Sequence, residues 1–187
     1  MAKIEIGKKI KEIREDKGLT LQELAKLTGF SSAILSQIEN HLESPSLGTL
    51  MKIAKALNVD LGIFFGVETK SPYYITKKGE GVNVARFASK DGITRYGYTY
   101  SSLGMGKQNR KLEPFIVELE PETLKNEKAY AHEGEEFIYV LEGKVEITIG
   151  EHTEILEPGD SIYYDSTLPH LVRCKGDKAV ILAVFPK

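Results

Sequence analysis

Apolar residues recur at helical spacing through the first third of the chain: Ile4, Ile6, Ile10 and Ile13, then Leu21, Leu24, Ala25 and Leu27, then Leu47, Leu50, Ile53, Ala54 and Leu57. Breaks at Gly18, Gly29, Ser44-Pro45 and Asn58 predict four short helices and a fifth near Leu61–Phe65. Three of the helix starts carry caps. Thr20 followed by Glu23 makes a capping box, Ser31 can cap the next helix, and Ser46 can cap the fourth after Pro45. From Val67 onward the period falls to two. Tyr, Val and Ile alternate with charge in 95–100, 115–119, 137–141, 144–149, 161–164 and 180–185. Turn signals at Glu142-Gly143, Gly150-Glu151 and Pro158-Gly159-Asp160 separate several of these strands. The expected fold class is two-domain α + β. A helical domain spans 1–66, a linker with a first strand spans 67–83, and an all-β barrel or sandwich spans 84–187.

Composition narrows the setting. Lys and Arg total 25 against 27 Asp and Glu, a formal net charge of −2. That balance excludes a wholly basic nucleic-acid coat and an acidic disordered tail. The lone Cys174 allows no internal disulfide, the N-terminus lacks a signal-peptide pattern, and no apolar run approaches the roughly 20 residues of a membrane helix. The expected location is cytoplasmic, with no membrane partner. The charge is unevenly shared: through Gly66 there are nine basic and eight acidic residues, leaving 16 and 19 for the remainder. The helical part is thus the mildly basic one, at about +1, and the negative balance belongs to the strands.

Two short helices, Thr20–Thr28 and Ser31–Asn40, meet across Gly29-Phe30 as a helix-turn-helix unit does. Such a unit reads DNA because a helix fits the major groove and its N-terminal side chains reach base edges. Leu19-Thr20-Leu21-Gln22-Glu23-Leu24-Ala25, Gly29-Phe30-Ser31, Leu35-Ser36-Gln37-Ile38-Glu39-Asn40 and Pro45-Ser46-Leu47-Gly48-Thr49-Leu50 resemble the Cro/cI (XRE) repressor domain, a five-helix, lambda-repressor-like fold. The resemblance implies DNA contacts from Gln22, Ser31, Ser32, Ala33, Ser36, Gln37 and Asn40, and a structural ion pair between Arg14 and Glu39. Gln37 is the strongest base reader of the set, because its amide can bond adenine N6 and N7 together. Two departures from the family pattern weaken phosphate gripping. Leu21 stands where many relatives have a polar residue, and His41-Leu42-Glu43 puts a carboxylate where many have basic residues. Affinity per subunit should be modest, so a homodimer on a palindromic operator in double-stranded DNA is the expected working form.

In the strand half, Ala131-His132-Glu133-Gly134-Glu135-Glu136-Phe137-Ile138-Tyr139-Val140-Leu141-Glu142-Gly143, Leu156-Glu157-Pro158-Gly159-Asp160 and Leu168-Pro169-His170 resemble the two motifs of the cupin family, a jelly-roll barrel, within 110–187. The family gathers a His-x-His, a Glu and a later His on one divalent metal. That resemblance implies a metal set of His132, Glu136 and His170, with Tyr130 at the first His position. Two imidazoles and a carboxylate suit Fe(II), and Zn, Mn or Ni can use the same donors. The same three residues could equally form a hydrogen-bonded cluster without metal. Tyr96, Tyr98 and Tyr100 share one strand face. Tyr98 and Tyr100, with Tyr130, would line a ligand pocket, or the strand face would serve ordinary core or dimer packing. His152 beside a turn, and Glu133 and Glu135 around Gly134, read as solvated surface. Cys174 reads as buried near the pocket mouth.

Two functions compete. In the first, the chain is a DNA-binding transcriptional regulator whose cupin half senses a small-molecule effector or a metal. In the second, it is a mononuclear non-heme iron enzyme resembling hydroxypropylphosphonate epoxidase, which shares the helical-plus-cupin order and the His-x-x-x-Glu spacing of His132 and Glu136. A phosphonate site wants convergent cations, and Lys107, Arg110 and Lys111 lie in what reads as a loop. The regulator is the favoured reading.

Overall fold

The computed structural model describes residues 6–43, 45, 47–67, 71–88, 95–121, 129 and 131–186, with backbone alone for 84–88 and 95–98. Ile4, the cap Ser46 and the pocket candidate Tyr130 lie outside the described residues. Two compact units emerge. One comprises residues 1–74 together with 105–109, the other 75–104 and 110–187.

The first unit holds α1 (Ile6–Asp16), α2 (Leu21–Thr28), α3 (Ser32–Glu39) and α4 (Leu47–Ala56). Their apolar faces close one core around Ile10, Leu24, Leu35, Leu50, Ile53 and Leu57. The fifth predicted helix is instead one 3₁₀ turn, Leu61–Phe65, ended by Gly66 in left-handed geometry. Five residues holding a glycine and a β-branched Ile63 cannot nucleate an α-helix, and burial of Leu61, Phe64 and Phe65 holds the tighter turn. The capping box forms. Glu23 N–H donates to Thr20 Oγ1 at 3.2 Å, and Thr20 N–H donates to Glu23 Oε2 at 2.7 Å. Gly29 ends α2 with φ +73°, a conformation that turns the chain into Ser31 without the Cβ penalty. Ser31 Oγ then accepts the Ile34 N–H at 3.2 Å and starts α3.

Gly7 of α1 lets α3 come close. A Cβ there would stand 2.1 Å from the Ile38 carbonyl oxygen of α3. Helix propensity alone favours Ala over Gly by about 1 kcal/mol. Gly7→Ala is nevertheless expected to lose about 1–3 kcal/mol, because the obstacle is backbone that cannot rotate away. Thermal melting of the full chain measures it, and a higher melting temperature would show that α1 and α3 have room to part.

The second unit is all β. Strands β1 (Val82–Ala88), β2 (Arg95–Ser102), β3 (Leu112–Leu119), β4 (Glu135–Glu142), β5 (Val145–Ile149), β6 (His152–Leu156), β7 (Ser161–Asp165), β8 (His170–Cys174) and β9 (Ala179–Pro186) form two sheets. The larger has the order β1-β2-β3-β9-β4-β7, the smaller β6-β5-β8, and every named pairing is antiparallel. Alternation places Phe115, Val117 and Leu119 of β3 and Ile138 and Val140 of β4 inside, with Ile181 and Ala183 of β9 and Val145 and Ile147 of β5. Strands β6 and β8 escaped the periodicity. Four of the five β6 residues are exposed, and His170-Leu171 begins β8 with two consecutive buried residues, so neither alternates. Among the described residues, no helix is long and apolar enough to cross a membrane.

Candidate functional site

The helix-turn-helix presents a polar face. Gln22, Ser31, Ser32, Ala33, Gln37 and Asn40 are exposed and Ser36 is half-buried, whereas Leu35 and Ile38 are buried and Ile34 is half-buried. Asn40 turns back on its own helix, its Nδ2 donating to the Ser36 carbonyl at 2.8 Å, so it serves α3 as a C-terminal cap. Gln37 stays exposed in the last turn of α3. Beneath this face, Arg14 reaches 25 residues along the chain to Glu39. Nε donates to Oε1 at 2.7 Å and Nη2 to Oε2 at 2.8 Å, while Nη1 donates to the Leu19 carbonyl at 2.8 Å. Hydrogen bonding to Glu39, outweighing the cost of burial, holds the guanidinium above its ordinary pKa.

In the barrel, His132, Glu136 and His170 bring three donor atoms within 4.8 Å of one another. Glu136 is the second residue of β4 and is buried. His132 precedes that strand, its place set by backbone bonds to the 165–168 turn: His132 N–H to the Ser166 carbonyl at 2.8 Å and Ser166 N–H to the Gly134 carbonyl at 2.9 Å. The fully buried Ser166 hydroxyl adds a bond to the Gly134 carbonyl at 2.6 Å. His170 opens β8. Its Nδ1 lies 2.9 Å from the Leu168 carbonyl, a contact satisfied by an N–H at Nδ1, which leaves the Nε2 lone pair turned toward Glu136. Glu136 Oε1 stands 2.5 Å from His132 Nε2 and 3.8 Å from His170 Nε2. Two imidazole nitrogens, their residues placed by backbone partners, and one carboxylate oxygen are a donor set that fits a divalent transition metal.

Tyr164 is the residue that sequence reading missed. It lies opposite Glu136 in the β4–β7 ladder, and its buried hydroxyl donates to Glu136 Oε2. Burial, then the neighbouring carboxylate, pushes the phenol well above its ordinary pKa, so it remains a donor. Its signal was Tyr164 in a strand-like run, yet only the strand register pairs it with Glu136.

The remaining candidates separate. Tyr100 packs edge-on to Phe115, which packs on Phe185, giving the barrel an aromatic interior wall. Tyr98 is opposite Leu119 in the backbone register, and its side chain lies outside the described residues. Arg110 lies in the loop before β3, as expected, but is buried there and donates Nε–H to buried Glu113 at 2.8 Å. Glu133 and Glu135 are exposed, Glu135 accepting from the Tyr163 hydroxyl at 2.6 Å. His152 is exposed beside Glu154 at 3.1 Å. Cys174 is half-buried, and burial followed by Asp177 raises its thiol above the ordinary range.

Comparison with known proteins places both halves. A helix-turn-helix family model matches residues 10–64, and a cupin-domain model matches residues 115–185. The chain is similar to the HTH-type transcriptional regulator PuuR of Escherichia coli K12, at 28% identity over 166 residues, which cover 88% of this chain and 84% of PuuR. It is similar to the HTH-type transcriptional regulator SinR of Bacillus licheniformis at 32% identity over 91 residues, 48% of this chain and 82% of SinR. Among solved structures, an HTH_3 family transcriptional regulator from Vibrio cholerae matches with TM-score 0.68 and 27% identity, covering 98% of this chain and 97% of its own. The Fe(II) form of HppE with the alternative substrate (S)-1-HPP matches with TM-score 0.51 and 24% identity over 98% of both chains. That second likeness is one of fold.

Proposed function

The chain belongs to the helix-turn-helix transcriptional regulators in which an XRE-type domain precedes a cupin domain, and from that premise we propose that it binds a palindromic operator as a homodimer and senses an effector through the barrel. The observation that carries the proposal is the order of parts. A capped, exposed recognition helix is joined in one chain to a barrel holding a buried His/Glu/His cluster. Gln37 is the base reader we assign, with Ser32, Ala33 and Ser36 beside it on α3 and Gln22 and Ser31 toward the backbone. Coupling requires that the effector bind one dimer geometry better than the other. His132, Glu136 and His170 would hold the metal, which would supply a Lewis-acidic centre against which an effector could orient. Tyr100 would wall the same interior, and Tyr98 and Tyr130 remain assigned to that wall by the cupin reading. The iron-oxygenase reading is set aside, because the relatives found by sequence are regulators, PuuR over 88% of this chain, while HppE, which also spans both units, shares fold alone.

Selection from random duplexes tests this, with the protein stripped of metal and then reloaded with Fe(II) or Zn. The expected result is enrichment of an inverted repeat whose two halves are centred about one helical turn apart, or a multiple of it. Absence of any enriched sequence in every condition would overturn it. Within the enriched site, Gln37→Ala should lose about 1–3 kcal/mol of discrimination at one base pair per half-site and leave non-specific affinity unchanged. Titration of single-substituted duplexes measures that loss.

A further inference from the structure

Glu136 has two oxygens with different occupations. Oε1 faces both imidazole Nε2 atoms, whereas Oε2 takes the Tyr164 hydroxyl. Tyr164 is fixed there twice over. The β4–β7 ladder sets it opposite Glu136, and its ring meets the His170 ring edge-on with centroids 5.2 Å apart. The ring is buried, so the hydroxyl has no route to another partner without repacking. Resting on the reading of this cluster as a metal site, we propose that Tyr164 is a positioning residue that restricts Glu136 to one ligating oxygen and thereby selects transition ions over Ca²⁺.

The chemistry follows from what each ion requires. Ca²⁺ collects six to eight oxygen ligands and commonly takes a carboxylate through both oxygens. A site with two imidazoles and one available carboxylate oxygen serves it poorly. Zn²⁺ and Fe²⁺ accept nitrogen donors and are satisfied by three protein ligands with open positions. A hydrogen bond to the outer carboxylate oxygen also holds the inner one in place before the ion arrives, and partners of this kind govern affinity in metal sites. Freed of Tyr164, the carboxylate can rotate and engage through both oxygens.

The test compares the parent protein with Tyr164→Phe and Glu136→Gln, each in the full chain. Zn²⁺ and Ca²⁺ affinities are measured by chelator competition, and the carboxylate bands by infrared difference spectra of metal-loaded against metal-free protein. Tyr164→Phe should lower Zn²⁺ affinity about tenfold or more without lowering that for Ca²⁺. The wide band splitting of a one-oxygen carboxylate should narrow in the variant. Parent-like Zn²⁺ affinity and splitting in Tyr164→Phe, alongside lost binding in Glu136→Gln, would overturn the role of Tyr164 alone. Parent-like binding in Glu136→Gln would overturn the metal site and Tyr164 with it. Should Tyr164→Phe fail to fold, the parent spectrum decides, since a narrow two-oxygen splitting there contradicts the proposal.

Discussion

Replacing Arg14 with Met is expected to remove about 3–5 kcal/mol from the stability of the helical unit. The magnitude comes from burial. An exposed ion pair contributes about 0–1 kcal/mol, but the side chains of Arg14 and Glu39 retain only 8% and 3% of their accessible surface. Arg14→Met leaves the Glu39 carboxylate buried and uncompensated. That carboxylate sits at the C-terminal end of α3, where the helix carbonyls already concentrate negative charge. It also orphans the Leu19 carbonyl that Nη1 satisfies. For a unit of this size each kcal/mol moves the melting temperature by roughly 4–8 °C, so the first unfolding transition should fall by more than about 10 °C. The double variant Arg14→Met with Glu39→Met should recover most of the loss, because an apolar pair of similar volume needs no charge compensation. Melting curves of the three proteins check this. A single variant that melts within a few degrees of the parent would show that Glu39 finds another cation.

How far the sequence was readable depends on whether a residue's partner is near it in the chain. Thr20 and Glu23 are three positions apart, Ser31 caps the residues that follow it, and Gly29 turns between them, so the helix-turn-helix could be read directly. Arg14 and Glu39 were paired through family resemblance, since a separation of 25 positions erases any local pattern. His132, Glu136 and His170 were likewise named from cupin motifs, and the strand register and the Leu168 carbonyl supply the reason they converge. Tyr164 was missed for the same cause. It stands 28 residues from Glu136, and neither its neighbours nor its period distinguishes it from Tyr163, which points outward to Glu135. Arg110 reads as a loop cation because its burial depends on Glu113 turning inward at the start of β3. Residues 105–109 group with the helical unit although β2 and β3, which flank them, belong to the other. No composition shift announces that assignment.

Metal loading of the stripped protein is expected to raise its melting temperature, and Glu136→Gln or His170→Ala is expected to abolish the rise. An ion that binds only the folded state stabilises it by RT ln(1 + [L]/Kd), about 2.7 kcal/mol when free metal is a hundredfold above Kd. Loss of an oriented ligand should exceed the roughly 10–100-fold affinity cost typical of outer-shell partners, so at the same metal concentration both variants lose nearly the whole increment. Glu136→Gln is the cleaner of the two. Its amide oxygen can still accept from the Tyr164 hydroxyl, and its NH₂ can donate toward His132 Nε2, so the hydrogen bonds of the metal-free cluster are conserved in number while the buried charge disappears. The metal-free melting temperature should therefore stay within a few degrees of the parent, which assigns the lost increment to metal rather than to folding. Glu135→Gln controls for charge alone. Its carboxylate is exposed and engages Tyr163, outside the cluster, so this variant should keep the full shift. Differential scanning calorimetry with Zn²⁺ or Fe²⁺ under anaerobic conditions measures all four proteins. A shift that persists in Glu136→Gln and His170→Ala would place the ion elsewhere and leave the three residues as a hydrogen-bonded cluster. A shift lost equally in Glu135→Gln would mean that this part of β4 attracts cations through net charge rather than through ligation.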